Sequence, residues 1–220
     1  MTNISVSDEL CGHIPGLVLS CIESDVIVQE GDEDLWNVIN KKTEELAAGL
    51  SIEDISSLPA IAASRKGYKA CGKDPARYRL SAEALLRRTI QGKGLYRVNN
   101  VVDLLNLVSI THGFSIGGYD ADKIDGEVVF GIGTSNEPYY GIGRGELNIE
   151  SLPVFRDRKG AFGTPTSDSV RTSVTNHTSR FLMIIISFGA SDLLQKATSL
   201  AIKLLKKHAS AENIQTCTIG

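Results

Sequence analysis

Basic and aromatic side chains are concentrated between residues 65 and 97. Ten lysines and arginines stand in this segment against only Asp74 and Glu83, so its formal charge is +8 (ten minus two). It also contains three of the six tyrosines of the chain, Tyr68, Tyr78 and Tyr96. Cationic side chains bind phosphates and tyrosine rings stack on unpaired bases, so this composition fits the end of a single-stranded RNA. A solvated face whose tyrosines are half-packed on the core is the alternative, and composition alone favours it.

The rest of the chain is acidic or nearly neutral. Residues 1–64 have two basic and twelve acidic residues, a charge of −10, and residues 98–220 have eleven and twelve, a charge of −1. Together with +8 these give the formal net charge of −3. Such a distribution indicates a local phosphate-facing surface rather than non-specific binding by the whole chain.

Several other classes of protein are disfavoured. No apolar run reaches the roughly 18 residues of a membrane span, and the opening MTNISVSDEL lacks the pattern of a signal peptide, so we expect a soluble cytoplasmic protein. The four cysteines and four histidines have no metal-ligand spacing, so we predict neither a metal site nor a disulfide framework. The motifs GIGTSN (131–136) and GIGRGE (141–146) begin like dinucleotide-binding fingerprints without completing one. We therefore predict no cofactor.

The elements that position the basic segment are predicted to be helices. Ser81 can cap a helix over AEALLRRTIQ, and Asn100 is predicted to cap a second helix, with Asp103 in a capping-box position and Gly113 as its stop. The glycine-rich stretch HGFSIGGYDADKI (112–124) then indicates a turn that forms the rim of a cavity. The earlier stretch SIEDISSLPAIAASRKGY predicts a short helix or turn followed by a loop.

Strand patterns cluster at 126–189, in EVVFGIG, PYYGIGRGELNI, LPVFRDRKGAFG and RFLMIIISF. An amphipathic helix is predicted from Ser191, and strict alternation of strands and helices is not observed. We therefore predict an α+β fold in preference to a doubly wound sheet.

The stretch LYRVNNVVDLLNLVSITHGFSIGGYDADKIDGEVV (95–129) resembles the B3/B4 domain of the phenylalanyl-tRNA synthetase β subunit. In that family a basic stretch precedes a capped helix, a G-Q-P-L-H-A-F-D-like turn and a K-I-x-G strand entry. The residues that carry the resemblance are Arg97, Asn100, Val102, Asp103, Asn106, Asp120, Lys123, Ile124 and Gly126. It extends more weakly over about 60–189, and it is similar to the free-standing members of the family.

The resemblance implies layered β-sheets flanked by helices, a three-layer β/β/α sandwich. It predicts that residues 1–220 form one B3/B4-like domain whose C-terminal helix, at 190–210, packs against the core. The synthetase domain hydrolyses tyrosine wrongly attached to the phenylalanine tRNA, so the implied partner is an aminoacylated tRNA 3′ end. The basic segment is then interpreted as RNA-binding through Arg65, Lys66, Tyr68, Lys69, Lys73, Arg77 and Arg79.

The sequence departs from the family pattern at the residues expected to do chemistry. The histidine of L-H-A-F-D falls at Gly117, and the glutamate of a glycine-rich G-G-E segment falls near Ser167 or Asp168. A different set is therefore predicted: Asp168 or His177 would orient water. The expected substrate-binding residues are Asn100, Gly117, Gly118, Tyr119, Asp120, Arg171 and Thr172.

Two functions follow from this reading. The first is a deacylase, an ester hydrolase and not a ligase, that removes a wrong amino acid from tRNA in trans, with a delivery partner that the sequence does not identify. The second is a non-catalytic module that binds tRNA or an amino-acid-like ligand, and the missing histidine favours it. Each candidate side chain also has an ordinary structural alternative, such as a turn cap for Asp168 or a surface ion pair for Arg171.

Overall fold

The computed structural model describes the backbone of residues 1–220 and every side chain except that of Ser191. Its helices are α1 (Asp8–His13), α2 (Glu33–Gly49), α3 (Pro59–Ala70), α4 (Ser81–Ile90), α5 (Asn100–His112) and α6 (Ser191–His208). Its strands are β1 (Ile4–Val6), β2 (Val18–Asp25), β3 (Ser115–Asp120), β4 (Val128–Ile132), β5 (Tyr140–Gly141), β6 (Gly145–Glu146), β7 (Pro153–Asp157), β8 (Gly160–Gly163), β9 (Arg180–Ser187) and β10 (Glu212–Ile219). Among the described helices, none is long and apolar enough to cross a membrane.

The strands form two four-stranded sheets and one small hairpin. The first sheet has the order β1-β4-β7-β8, in which β1 is parallel to β4 and the other pairs are antiparallel. The second sheet, β10-β2-β9-β3, is antiparallel throughout. Strands β5 and β6 make the hairpin, which is called the 140–146 hairpin below. The α+β prediction is confirmed, because two sheets and a helical layer form the chain.

The second sheet is the middle layer because both of its faces are apolar. In β9, Phe181, Met183 and Ile185 face the helices, whereas Leu182, Ile184 and Ile186 face the first sheet. A strand buried on both faces appears in sequence as an unbroken apolar run, which is what RFLMIIISF is. The helical layer consists mainly of α2, α4, α5 and α6, so the order of layers is sheet, sheet, helices.

The N-cap of helix α5 is one residue earlier than the sequence predicted. Asn99, not Asn100, is the N-cap, and its side chain accepts a hydrogen bond from the Val102 amide at 2.9 Å. The Asp103 carboxylate reaches back to the Val98 amide, also at 2.9 Å. Gly113 ends the helix in the left-handed region, with φ of 78°, as a glycine C-cap does.

Three elements differ from the sequence predictions. The expected loop before Cys71 is helix α3, which has Pro59 at its first turn, where proline suits a helix. Residue 67, inside α3, has no room for a side chain, because a Cβ there would lie 2.4 Å from the Phe188 ring. The expected turn at 112–124 contains strand β3, and strand β10 pairs with β2 after the last predicted element.

Gly117 of strand β3 and Gly163 of strand β8 leave space for a tyrosine side chain. The Tyr119 hydroxyl would lie 2.1 Å from a Cβ at Gly117 and 2.1 Å from a Cβ at Gly163 of β8. The fully buried Tyr119 ring packs edge-on against Phe162 at 5.0 Å between centroids. The glycines therefore make room for a side chain of the protein between the two sheets.

We predict that Gly117→Ala destabilises the protein by about 1–3 kcal/mol, the usual cost of overpacking a core. The added methyl group has to displace the Tyr119 phenol, which is held on both sides. Urea unfolding followed by circular dichroism measures this change. Gly49→Ala is the matched control, since no atom lies within 4 Å of its added Cβ, and we expect it to be neutral or slightly stabilising. Equal stability of the Gly117→Ala variant and the wild type would contradict the packing described here.

Candidate functional site

An apolar cavity of about 450 Å³ lies between helices α4 and α5, the edge strand β3 and the loops around residues 142 and 170. Most of its wall is aliphatic and is formed by Leu85, Val102, Leu105, Ile116, Val170 and Val174. Asn106 and Asp168 are among its polar lining groups. A mostly apolar wall with a few polar groups is the usual composition of a small-molecule site.

A second cavity, of about 530 Å³, adjoins the first and is basic. Ser81, Leu85 and Asn106 line both cavities, so the two share part of their walls. The cationic residues of the second cavity are Arg79, Arg87, Arg88, Lys93 and Arg144. Tyr96, which is 58% exposed, also lines it. An apolar cavity thus lies beside one that suits phosphates.

Helix α4 is held by a buried carboxylate that orders three arginines. Glu83 is only 1% exposed. Its oxygens lie 2.8 Å from Arg65, 3.2 Å from Arg87 and 3.8 Å from Arg79. A buried acid needs such compensation. Part of the positive charge counted in the sequence is therefore neutralised within the protein.

Asp168 is the chemically distinctive residue of the apolar cavity. Its carboxylate accepts hydrogen bonds from the Tyr119 hydroxyl at 2.9 Å and from the Gly118 amide at 3.3 Å. Burial raises the pKa of the Asp168 carboxyl from 3.8 to about 7, and the two hydrogen bonds offset only part of that rise. Burial and the neighbouring Asp168 charge raise the pKa of Tyr119 well above its ordinary value. At neutral pH the Tyr119 phenol therefore keeps its proton, and Asp168 can both take and release one.

Asn106 lies where the two cavities meet. It is half-buried on α5, one turn after Val102, so both side chains face the apolar cavity. Among the described residues, its amide has no hydrogen-bond partner, which leaves a donor and an acceptor available to a ligand.

The structure brings together some of the predicted substrate-binding residues and not others. Gly118 lines the apolar cavity, and Tyr119 lies behind Asp168 as its hydrogen-bond donor. Gly117 has the opposite orientation, since a Cβ there would point to the Tyr119 phenol between the sheets. A side chain at residue 117 would thus compete with Tyr119 for space.

The remaining predicted residues are engaged elsewhere. The Asn100 amide donates to the Ile27 and His208 carbonyls, both at 2.8 Å. Asp120 accepts from Thr178 at 2.8 Å, and Arg171 forms two hydrogen bonds with Asp157 at 2.8 and 3.0 Å. Thr172 is buried.

His177 is exposed and lies outside the residues that line either cavity. The structure therefore does not bring it together with Asp168.

Of the predicted RNA-binding residues, one lines the basic cavity, and the others are buried, ion-paired or exposed elsewhere. Arg79 lines the basic cavity, whereas Tyr68 is fully buried and hydrogen-bonded to Thr166 at 3.0 Å. Lys73 is buried, with its ammonium 3.9 Å above the Tyr78 ring and bonded to the Glu150 carbonyl. Arg65 pairs with Glu83, and the others, Lys66, Lys69 and Arg77, are exposed on or just after α3.

Several polar residues of the two cavities were not among the predicted site residues, including Asn106, Arg87, Arg88, Lys93 and Arg144. Arg87 and Arg88 lie in the last turn of α4, where cations also interact favourably with the helix dipole, and Arg87 pairs with Glu83. The sequence could have indicated Asn106, because it is a polar residue four positions after Val102, on the same face of a predicted helix. Arg144 had none, since it comes from a distant hairpin.

The fold defines a class of layered α+β proteins that includes a synthetase fragment. The chain is similar to an N-terminal fragment of the phenylalanyl-tRNA synthetase β subunit from Pyrococcus horikoshii, with a TM-score of 0.51 and 14% sequence identity. The comparison covers 100% of this chain and 52% of that one, so this chain spans about half of the fragment's length. At this identity the similarity is one of fold.

The family follows from the sequence itself. Residues 63–213 match the family model described as the B3/4 domain, which is more than half of the chain. The chain therefore belongs to the B3/4 domain family. No curated protein sequence matches it. Among the described residues, there is no group of three or more histidine, cysteine or acidic side chains that could hold a metal ion.

The raised pKa of Asp168 predicts a pH-dependent stability. Between about 3.8 and 7 the folded protein binds more protons than the unfolded chain, so stability falls as pH rises through this window and is constant above it. Relative to Asp168→Asn, the wild type should lose at most about 4 kcal/mol between pH 4 and pH 8. Urea unfolding at a series of pH values measures the difference.

The control for this measurement is Glu44→Gln, an exposed acid on α2, whose curve should remain parallel to that of the wild type. A constant difference between Asp168→Asn and the wild type across the same pH range would show that the Asp168 pKa is close to its ordinary value.

Proposed function

We propose that this protein is a free-standing hydrolase, acting in trans on aminoacyl esters at tRNA 3′ ends. The observation that carries the proposal is that an apolar cavity containing Asp168 shares part of its wall with a basic cavity lined by five cationic residues. An aminoacylated RNA end has a matching division, with an amino-acid side chain on one side of the ester and phosphates on the other. Membership of the B3/4 domain family supports the same substrate class. We assign this activity to the cytoplasm and to residues 1–220 acting as one domain.

In the proposed complex, the amino-acid side chain occupies the apolar cavity and the terminal nucleotides lie along the basic one. Tyr96 supports this orientation because its ring is exposed and the Arg88 guanidinium lies 3.7 Å from the ring centroid. Such a pair offers a base a stacking surface and a phosphate a charge. Asn106, at the junction, is positioned to hydrogen-bond the ribose or the ester.

The proposed chemistry uses Asp168 as a general base. Its carboxylate removes a proton from a water molecule as the water oxygen attacks the ester carbonyl carbon. The bond from that carbon to the ribose oxygen then breaks, and Asp168 returns the proton to the ribose oxygen. The Tyr119 hydroxyl holds the carboxylate in place throughout, because its own proton is retained.

A non-catalytic binding module is the second candidate. Among the described residues that line the apolar cavity, Asp168 is the only ionisable one. Hydrolysis would then depend on a single acid-base group, whereas an ion pair with the α-ammonium group of an amino acid needs only that group. In this case the protein would bind aminoacylated RNA and protect or deliver it, with a synthetase or another protein as its partner.

Deacylation of a panel of mischarged tRNAs distinguishes the two candidates. For a hydrolase we expect at least one tRNA to be deacylated well above its spontaneous rate. Asp168→Asn should lower the enzymatic rate by on the order of 100-fold, the usual contribution of a general base. After subtraction of spontaneous hydrolysis, kcat/KM should rise with pH and level off above about 7, as the Asp168 carboxyl ionises.

His177→Ala is the matched control for this assay, and we expect full activity because His177 is exposed outside both cavities. Spontaneous rates for every tRNA tested would exclude the hydrolase and leave the binding module. An active enzyme with an unchanged Asp168→Asn variant would exclude the role given to Asp168.

A further inference from the structure

The 140–146 hairpin contributes a residue to each of the two cavities. Ile142 lines the apolar cavity and Arg144 lines the basic one. The other shared wall is formed by α4 and α5, through Ser81, Leu85 and Asn106. A ligand that extends from one cavity into the other therefore has the hairpin tip beside both of its parts.

The base of the hairpin is fixed to the segment that carries Asp168. The Ile142 amide donates to the Asp168 carbonyl at 2.9 Å, and Gly141 forms an isolated β-bridge with Ser169. The buried Tyr139 donates to the Ser167 carbonyl at 2.5 Å. Any ligand contact made by the hairpin tip is therefore held at a defined position relative to the Asp168 carboxylate.

The tip itself is exposed and consists of glycines around two specific side chains. Ile142 is 49% exposed, and Gly143 and Gly145 have φ values of 67° and 69°. An isoleucine at a cavity wall that is half-exposed to solvent gains apolar contact when a ligand covers it. The positive φ values fix a tight turn that only glycine adopts without strain.

Arg144 and Lys93 are the cations of the basic cavity that the fold leaves available, and Arg144 is the arginine of the two. Arg79 and Arg87 lie beside the Glu83 carboxylate, and Arg88 donates to Tyr96 at 3.0 Å. Among the described residues, Arg144 has no acidic partner and no hydrogen bond from its guanidinium, and it is exposed. A free guanidinium is suited to bidentate phosphate binding.

We propose that the 140–146 hairpin selects amino acids attached to RNA over free amino acids, by binding both parts of the substrate at once. Arg144 binds a phosphate near the RNA 3′ end, and Ile142 packs on the amino-acid side chain. This inference rests on the proposed function for its substrate. Because the hairpin is anchored beside Asp168, simultaneous contact at both points positions the ester against the carboxylate. A free amino acid makes the Ile142 contact alone and gains no contribution from Arg144.

Binding of a fluorescein-labelled single-stranded RNA ending in CCA, measured by anisotropy over a series of salt concentrations, tests the Arg144 half. Arg144→Ala should weaken binding on the order of tenfold. It should also reduce the slope of log affinity against log salt by roughly 0.7, the value for one phosphate contact on a single strand. Arg144→Lys should keep the slope, since the charge remains.

The matched control is Arg158→Ala, which removes another exposed arginine, from the turn between β7 and β8, and should leave affinity and slope unchanged. Wild-type affinity and slope in Arg144→Ala would overturn the assignment, and so would a wild-type protein that does not bind the RNA. A loss confined to affinity, with the slope unchanged, would also overturn it, because a merely structural role predicts that result.

The Ile142 half is tested with the same RNA carrying phenylalanine through an amide, which cannot be hydrolysed as an ester. The wild type should bind this RNA more tightly than the plain RNA, and Ile142→Ser should reduce the difference without changing plain-RNA binding. Equal binding of the two RNAs by the wild type would overturn this half. These readouts do not depend on turnover, so a negative deacylation assay with positive binding results rejects the hydrolase and retains the hairpin inference.

Discussion

The arrangement of the site depends on one hydrogen bond, from the Tyr119 hydroxyl to the Asp168 carboxylate at 2.9 Å. Tyr119 belongs to β3 of the middle sheet, and Asp168 follows β8 of the outer sheet, so the bond joins two layers at the cavity wall. The phenol fits between them only because residues 117 and 163 are glycines. The same bond keeps the carboxylate oriented while burial raises its pKa to about 7. The Tyr119 side chain therefore determines both the core packing and the orientation of Asp168. A substitution that changes the packing of Tyr119 also changes the site.

The basic surface depends on a second buried group, the Glu83 carboxylate. Its contacts with Arg65, Arg79 and Arg87 hold α4 against its neighbours and place two of these arginines at the second cavity. The charge of +8 in residues 65–97 thus has two parts, one structural and one available to a ligand. The available part includes Lys93 and is supplemented by Arg144, which is 47 residues beyond the end of that segment in sequence. A count of charges within one segment can therefore indicate a phosphate-binding surface without identifying the residues that form it.

The parts of the fold that sequence predicted are those in which local signals agree. Helix α5 has a polar cap, an apolar face and a glycine stop, and β9 is an unbroken apolar run between polar residues. Strand β3 was missed because its glycines resemble a turn. Gly117 leaves space for Tyr119, whose ring packs on the other sheet, and a Cβ at Gly118 would meet Leu105 and Phe181. The site residues were likewise predicted only in part. Asp168 and Gly118 were predicted among the residues now found at the cavity, but Asn100 was preferred to Asn106, because sequence does not show that the Asn100 amide binds the Ile27 and His208 carbonyls.

The structure explains why residue 117 is a glycine, which the sequence alone did not. In the B3/B4 pattern that the sequence resembles, the corresponding stretch is H-A-F-D, and here it is G-G-Y-D. Histidine is replaced at 117 and phenylalanine gains a hydroxyl at 119, and these two differences occupy one volume, since a Cβ at 117 would lie 2.1 Å from the new hydroxyl oxygen. A side chain at 117 is therefore incompatible with the present position of the Tyr119 ring, because its Cβ would also lie 2.5 Å from the ring carbon that carries the hydroxyl. The hydroxyl at 119 donates to Asp168, so the polar group that this pair of positions supplies in this chain is a tyrosine phenol that orients a carboxylate. Removing only the hydroxyl does not open this space, because two ring carbons lie 2.5 and 2.7 Å from the Cβ position, so a histidine at 117 also requires the ring of residue 119 to move.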